Sequence, residues 1–151
     1  MRYANHHRFD YGIYKIDQFE RPPAWAKIQC LMQEAKLRTH DYILWIDADA
    51  IFVRLDKNIL NEISNDRDIF MVNHLITLMP IHKYHGLFLQ CERPNTGILL
   101  IKTSDWSINF LEQVWAQCDY INHDRWEQVA FHKLMGYTYE ISGQTKKRSH
   151  C

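Results

Sequence analysis

Two aspartates separated by one alanine, Asp47-Ala48-Asp49, follow directly on the apolar run Tyr42-Ile43-Leu44-Trp45-Ile46. The run is rich in strand formers and reads as a buried strand. If the chain stays extended past Ile46, Asp47 and Asp49 point the same way, about 6–7 Å apart, because alternate residues share a face. Two acids at the end of a buried strand are costly to desolvate unless a cation meets them. A hard divalent ion with oxygen ligands answers that need, and Ala48 leaves room for a ligand to approach the backbone. The plainer reading is that the pair caps a turn or a helix, and local sequence leaves both open.

Other residues with chemical potential are less pointed. The nine histidines form no His-x-x-x-His pair on a clear helix, so His82 and His85 read as loop polarity before they read as metal ligands. Cysteines 30, 91, 118 and 151 match no zinc or redox spacing, which predicts four unpaired thiols and leaves the compartment open. Lys27 reads as a solvated helical lysine. Gly97 permits close approach of a ligand to the backbone or simply a turn. Glu127 and Gln128 sit where a first helical turn favours acid through the helix dipole.

The elements that must position these residues follow from periodicity. Arg21-Pro22-Pro23-Ala24 opens a helix whose apolar positions Ile28, Leu31, Met32 and Ala35 run to about Leu37. Residues 1–21 are polar and aromatic with no long strand. Ile51-Phe52-Val53 is expected to be extended or half-buried, and Asn58 to Ser64 a short helix. Ile69-Phe70-Met71-Val72 reads as a second strand and Ile98-Leu99-Leu100-Ile101 as a third, opened by Asn95-Thr96-Gly97. The stretch 73–94 reads as a long loop of the kind that forms lids or binding walls. Thr103-Ser104 caps a helix with Trp106, Phe110, Leu111, Val114, Trp115 and Cys118 on one apolar face. Trp126 to Met135 forms a helix ended by Gly136, followed by a short strand from Tyr137 to Ile141. The basic tail 142–151 is expected to fray.

Strands alternating with helices predict an α/β sheet with helices on its faces. Ligands of such sheets bind beyond the carboxyl ends of strands, where Asp47 and Asp49 fall. A chain of 151 residues holds one domain with a real core. Lys plus Arg and Asp plus Glu are equal at 18 each, which argues against a nucleic-acid partner. No apolar run is long enough for a membrane span, and no signal-peptide core is visible.

Taken in order, Trp25-Ala26-Lys27-Ile28, Trp45-Ile46-Asp47-Ala48-Asp49-Ala50, Asn95-Thr96-Gly97-Ile98-Leu99-Leu100-Ile101, Ser104-Asp105-Trp106-Ser107 with Phe110-Leu111, and Trp126-Glu127-Gln128 resemble the galactosyl/xylosyltransferase family. That family includes fungal α-galactosyl- and mannosyltransferases and plant xyloglucan α-xylosyltransferases. The resemblance spans about residues 3 to 140. It implies a GT-A fold: a Rossmann-like nucleotide-diphospho-sugar transferase sandwich with a central mixed sheet. It implies a retaining transfer of a hexose or pentose from a UDP- or GDP-sugar to a glycan or other hydroxyl acceptor, assisted by Mn2+ or Mg2+. Position by position, Asp47 and Asp49 match the metal motif. Lys27, Ala48, Asn95 and Gly97 match donor-binding positions, and Gln128 and Glu127 match the pair near the reacting carbon.

The pattern departs from the family in two ways. Family members place a nucleotide-binding strand before the segment that Tyr3-Ala4 resembles, and a metal-binding histidine well after the Glu-Gln helix. Neither has a counterpart here, since His150 lacks the matching context. The expectation is therefore a single, partial glycosyltransferase domain over residues 1–151, without that first strand. Two rival readings follow: a sugar-nucleotide fold that only binds, and a phosphohydrolase with Asp47 as nucleophile and Asp49 as acid. Ala50 speaks against the second, since such enzymes carry Thr or Val after the second acid.

Overall fold

A computed structural model describes residues 1–15, 20–78 and 89–137, with the side chains of 75–78 and 89–92 excepted. The expectations for His82 and His85, the strand from Tyr137 to Ile141 (apart from Tyr137 itself) and the tail 142–151 lie outside those residues. Four helices are described, α1 (Arg2–His7), α2 (Ala26–Leu37), α3 (Asp105–Trp115) and α4 (Trp126–Leu134). Three strands, β1 (Tyr42–Ile46), β2 (Ile69–Leu78) and β3 (Leu89–Lys102), form a sheet of order β1-β3-β2.

Both pairings in this sheet are antiparallel. The expected mixed sheet is therefore not what the described residues form. β3 lies in the centre because it is the strand buried most fully: Leu99, Leu100 and Ile101 are all inside. Register sets Ile43 and Ile69 on either side of Ile101, and Trp45 and Met71 on either side of Leu99. Directly opposed residues share a face, so these two rungs present one apolar surface to the helices. There they meet Trp25, Ile28, Leu31 and Ala35 from the α2 region, Leu111 and Val114 of α3, and Ala130 and Phe131 of α4.

The helices begin and end for local reasons. Pro23 opens a short 3-10 turn that leads into α2, where its missing N–H is not needed. Ser104 caps α3: its hydroxyl accepts from the Ser107 N–H at 3.1 Å. Gly136, at φ +84°, follows α4 in the left-handed conformation that glycine adopts without a Cβ clash.

Five expectations are corrected. Residues 73–78 and 89–94 are not loop but the outer arms of a β2–β3 hairpin, so the third strand begins at Leu89 rather than Asn95. α1 was not visible in the aromatic N-terminus. Its Tyr3 is buried, stacks on Phe52 at 3.6 Å and accepts the Ile59 N–H, tying down the segment after β1. Ile51 and Val53 on that segment are exposed rather than half-buried. Trp106 is also exposed and lies flat against Phe110 instead of entering the core. Cys118 is disulfide-bonded, while Cys30 is a free, buried thiol, so the thiols are not all unpaired.

Between Met71 and Val72 the β2–β3 register breaks. Met71 faces Leu99, but Val72 faces Asn95, which leaves Thr96, Gly97 and Ile98 without opposites on β2. That bulge swings Asn95-Thr96-Gly97 across the carboxyl end of β1, where the Asp47 N–H donates to the Gly97 carbonyl at 2.8 Å.

Candidate functional site

Beyond the end of β1 the chain does not stay extended. It turns at Ala48 and Asp49, and the Ala50 N–H closes back on the Asp47 carbonyl at 3.0 Å. Asp47 and Asp49 therefore do not share a strand face. Asp47 turns inward and Asp49 outward, exposed and without a hydrogen bond or ion pair among the described residues.

Asp47 is held on both carboxylate oxygens. Oδ1 accepts from the Trp45 indole N–H at 2.6 Å and meets the Lys27 ammonium at 3.0 Å, and Oδ2 lies 3.2 Å from the same ammonium. Lys27 is not the solvated lysine its helix suggested. It is 4% exposed and meets three acceptors: Asp47, Glu127 Oε1 at 3.1 Å and the Thr96 carbonyl at 3.2 Å. Three N–H groups and three partners leave the ammonium satisfied, which is the condition for keeping a charge inside.

Glu127 is 3% exposed. Its Oε1 also accepts the Thr96 hydroxyl at 2.9 Å, while Oε2 is enclosed and has no partner. The Gln128 amide oxygen lies 3.4 Å from the Thr96 backbone N–H. The Gly97 N–H donates to the Asn95 side-chain oxygen at 2.8 Å. A Cβ at Gly97 would come within 2.9 Å of that oxygen and 3.2 Å of Asp47 Oδ2, so close approach, rather than a turn, explains glycine there.

These groups surround a pocket of about 440 Å³ lined by Lys27, Asp47, Asn95, Gly97, Glu127 and Gln128, with Ala24, Thr96 and Trp126. Arg93 and Arg125 lie on its rim with His74 and Asp124. Six of the eight residues singled out from sequence thus meet in one place, and Ala48 and Asp49 do not line it. Sequence reasoning gave no role to Thr96, Trp45 or Trp126. Thr96 was legible only as part of a motif, because its work is to join Lys27 to Glu127. Trp126 is unusual in its backbone: φ is +44° at the first helical position, a conformation costing a bulky residue on the order of 1–3 kcal/mol.

Below the pocket, the buried His132 ring meets the Pro94 carbonyl through Nε2. Burial, with Arg93 and Arg125 nearby, pushes its pKa below the ordinary histidine value. His132 is therefore neutral at pH 7 and ties α4 to the residue before the bulge.

No group of three His, Cys, Asp or Glu side chains gathers to hold a metal among the described residues. The acids fit a divalent ion in kind but not in number: carboxylate oxygens only, one already engaged by Lys27 and one free. Hard divalent ions accept such sparse sets when a phosphate-bearing ligand and water complete the shell.

The model of the galactosyl transferase GMA12/MNN10 family matches residues 1–148, and the chain belongs to that family. Glycosyl transfer from a nucleotide-sugar donor to a glycan acceptor is the activity this membership implies. No curated protein and no solved structure matches the chain. Among the described residues, no helix is long and apolar enough to cross a membrane.

Proposed function

We propose that the chain carries the donor-binding and catalytic part of a retaining, divalent-metal-dependent glycosyltransferase of GT-A type. It would move a hexose or pentose from a UDP- or GDP-sugar to a glycan hydroxyl. One observation carries the reading: α2, the end of β1, the β3 bulge and the start of α4 bring Lys27, Asp47, Gly97, Glu127 and Gln128 to one pocket. Structural needs alone do not require acids and amides from such distant parts of the chain to meet around open space.

In this reading Asp47 and Asp49 would be the residues that hold Mn2+ or Mg2+. The ion supplies Lewis-acid stabilisation of charge on the leaving diphosphate. Lys27 acts through Asp47 and Glu127: with its N–H groups engaged, it fixes both carboxylates rather than reaching for phosphate. Gly97, lacking a side chain, lets the sugar lie against the β3 backbone. Gln128 offers an amide oxygen to the anomeric carbon as it takes on oxocarbenium character. The bond from that carbon to the phosphate oxygen breaks and the bond to the acceptor oxygen forms on the same face. The acceptor proton leaves with the diphosphate.

Calorimetry of UDP and of GDP, with and without Mn2+, tests the reading. Metal-dependent binding that Asp47→Ala and Asp49→Ala abolish is expected. Absence of binding at millimolar nucleotide in the unaltered protein would overturn it. Nucleotide binding without release of free UDP or GDP from any donor sugar would leave a protein that binds sugar nucleotides without transferring.

A further inference from the structure

The chain has five tryptophans, and four are accounted for. Trp25 is wholly buried in the core. Trp115 lies under the Arg21 guanidinium at 3.8 Å, Trp45 donates to Asp47, and Trp106 stacks on Phe110. Trp126 is different. It is 44% exposed, and among the described residues its ring meets no other ring and its indole N–H donates to nothing. Yet it lines the pocket and adopts a backbone conformation that a bulky residue avoids.

That conformation is held in place. The Trp126 N–H donates to the His123 carbonyl at 3.0 Å, and the Gln128 N–H donates to the Arg125 carbonyl at 3.2 Å. Glycine would sit at φ +44° without strain. A large aromatic there, unused by the fold and next to Glu127 and Gln128, is what a site retains when the ring itself is needed. Ala24 and Gly97, also lining the pocket, carry almost no side chain and leave space for a flat ligand.

We propose that Trp126 is the stacking platform for a pyranose ring in this pocket. Its face would cover the apolar C–H patch of the sugar, and its indole N–H would donate to a ring hydroxyl. The assignment deepens the transferase reading and rests on it. The ring could be the donor's sugar or the acceptor's, and the chemistry of recognition is the same for both.

The test uses the unaltered protein, Trp126→Phe and Trp126→Gly. Three affinities are measured with Mn2+: UDP, UDP-galactose, and methyl hexopyranosides by saturation-transfer NMR. Thermal midpoints are recorded alongside. UDP affinity should stay constant across the three proteins. Trp126→Gly should lose about tenfold in sugar-dependent binding, while Trp126→Phe keeps most of it. The Trp126→Gly midpoint should be equal to or above that of the unaltered protein, since glycine relieves the backbone. A loss confined to the methyl glycosides assigns the platform to the acceptor, and a loss confined to the gain of UDP-galactose over UDP assigns it to the donor. Unchanged sugar binding in Trp126→Gly, or a lowered midpoint that accounts for the loss, overturns the proposal. Failure of the unaltered protein to bind UDP at all would instead strike the transferase reading, and glycoside binding lost in Trp126→Gly would still support the platform.

Discussion

At the scale of single residues, the centre of this protein is a lysine shared by two acids. Lys27 and Glu127 are buried together, so removing Lys27 leaves the enclosed Glu127 carboxylate without its counter-charge. Lys27→Met should lower unfolding free energy by about 3–5 kcal/mol in denaturant titration, and pairing it with Glu127→Gln should restore part of that loss. Simple additivity of the two changes would show that the pair is not coupled. Thr96→Val should cost less stability but should depress transfer, because it removes the hydroxyl that orients Glu127. Asp47 was legible from sequence as an acid ending an apolar strand, although β1 is half-buried rather than buried as expected. Its actual partner was not: Lys27 lies a helix away, and nothing local reveals that the helix folds back over the strand. The expected parallel pointing of Asp47 and Asp49 failed for a local reason, since β1 ends at Ile46 and a turn rotates the second acid outward.

Among the elements, the bulge in β3 does the positioning. Gly97→Ala places a methyl against Asn95 Oδ1 and Asp47 Oδ2, so it should weaken Mn2+-dependent nucleotide binding at least about tenfold while costing only about 1 kcal/mol of stability. Equal nucleotide affinity in that variant would mean the site tolerates a displaced Asp47. Ser104→Ala tests the frame rather than the site. It removes the α3 cap and the hydroxyl bond to Asp68, and a loss of about 1 kcal/mol with nucleotide binding intact is expected. β1, α2 and α4 could be read from the sequence because each has a clean apolar period and a clear stop signal. The hairpin arms could not. Pro94 and the charged residues Glu92 and Arg93 resemble loop composition, and their strand character comes from pairing with residues 73–75 across the chain.

For the molecule as a whole, the neutral charge balance hides a pH-sensitive joint. His132 has a folded pKa below that of the unfolded chain, so the unfolded state binds more protons between the two values. Stability is then full above about pH 6.5 and falls as pH drops towards the folded value. Denaturation midpoints measured from pH 7.5 to 5 should decline, and His132→Gln should flatten that decline. A slope unchanged by the substitution would assign the effect to other groups. The antiparallel sheet order was not foreseeable either, because strand succession in sequence does not specify which strand takes the centre. Finally, the enclosure of Lys27 bears on covalent labelling. An amine-reactive reagent must reach the nitrogen it modifies, and Lys27 is out of reach while it stays enclosed with its three partners. Its modification rate therefore becomes a clock for opening of the pocket, separable from the exposed Lys36 within the same protein.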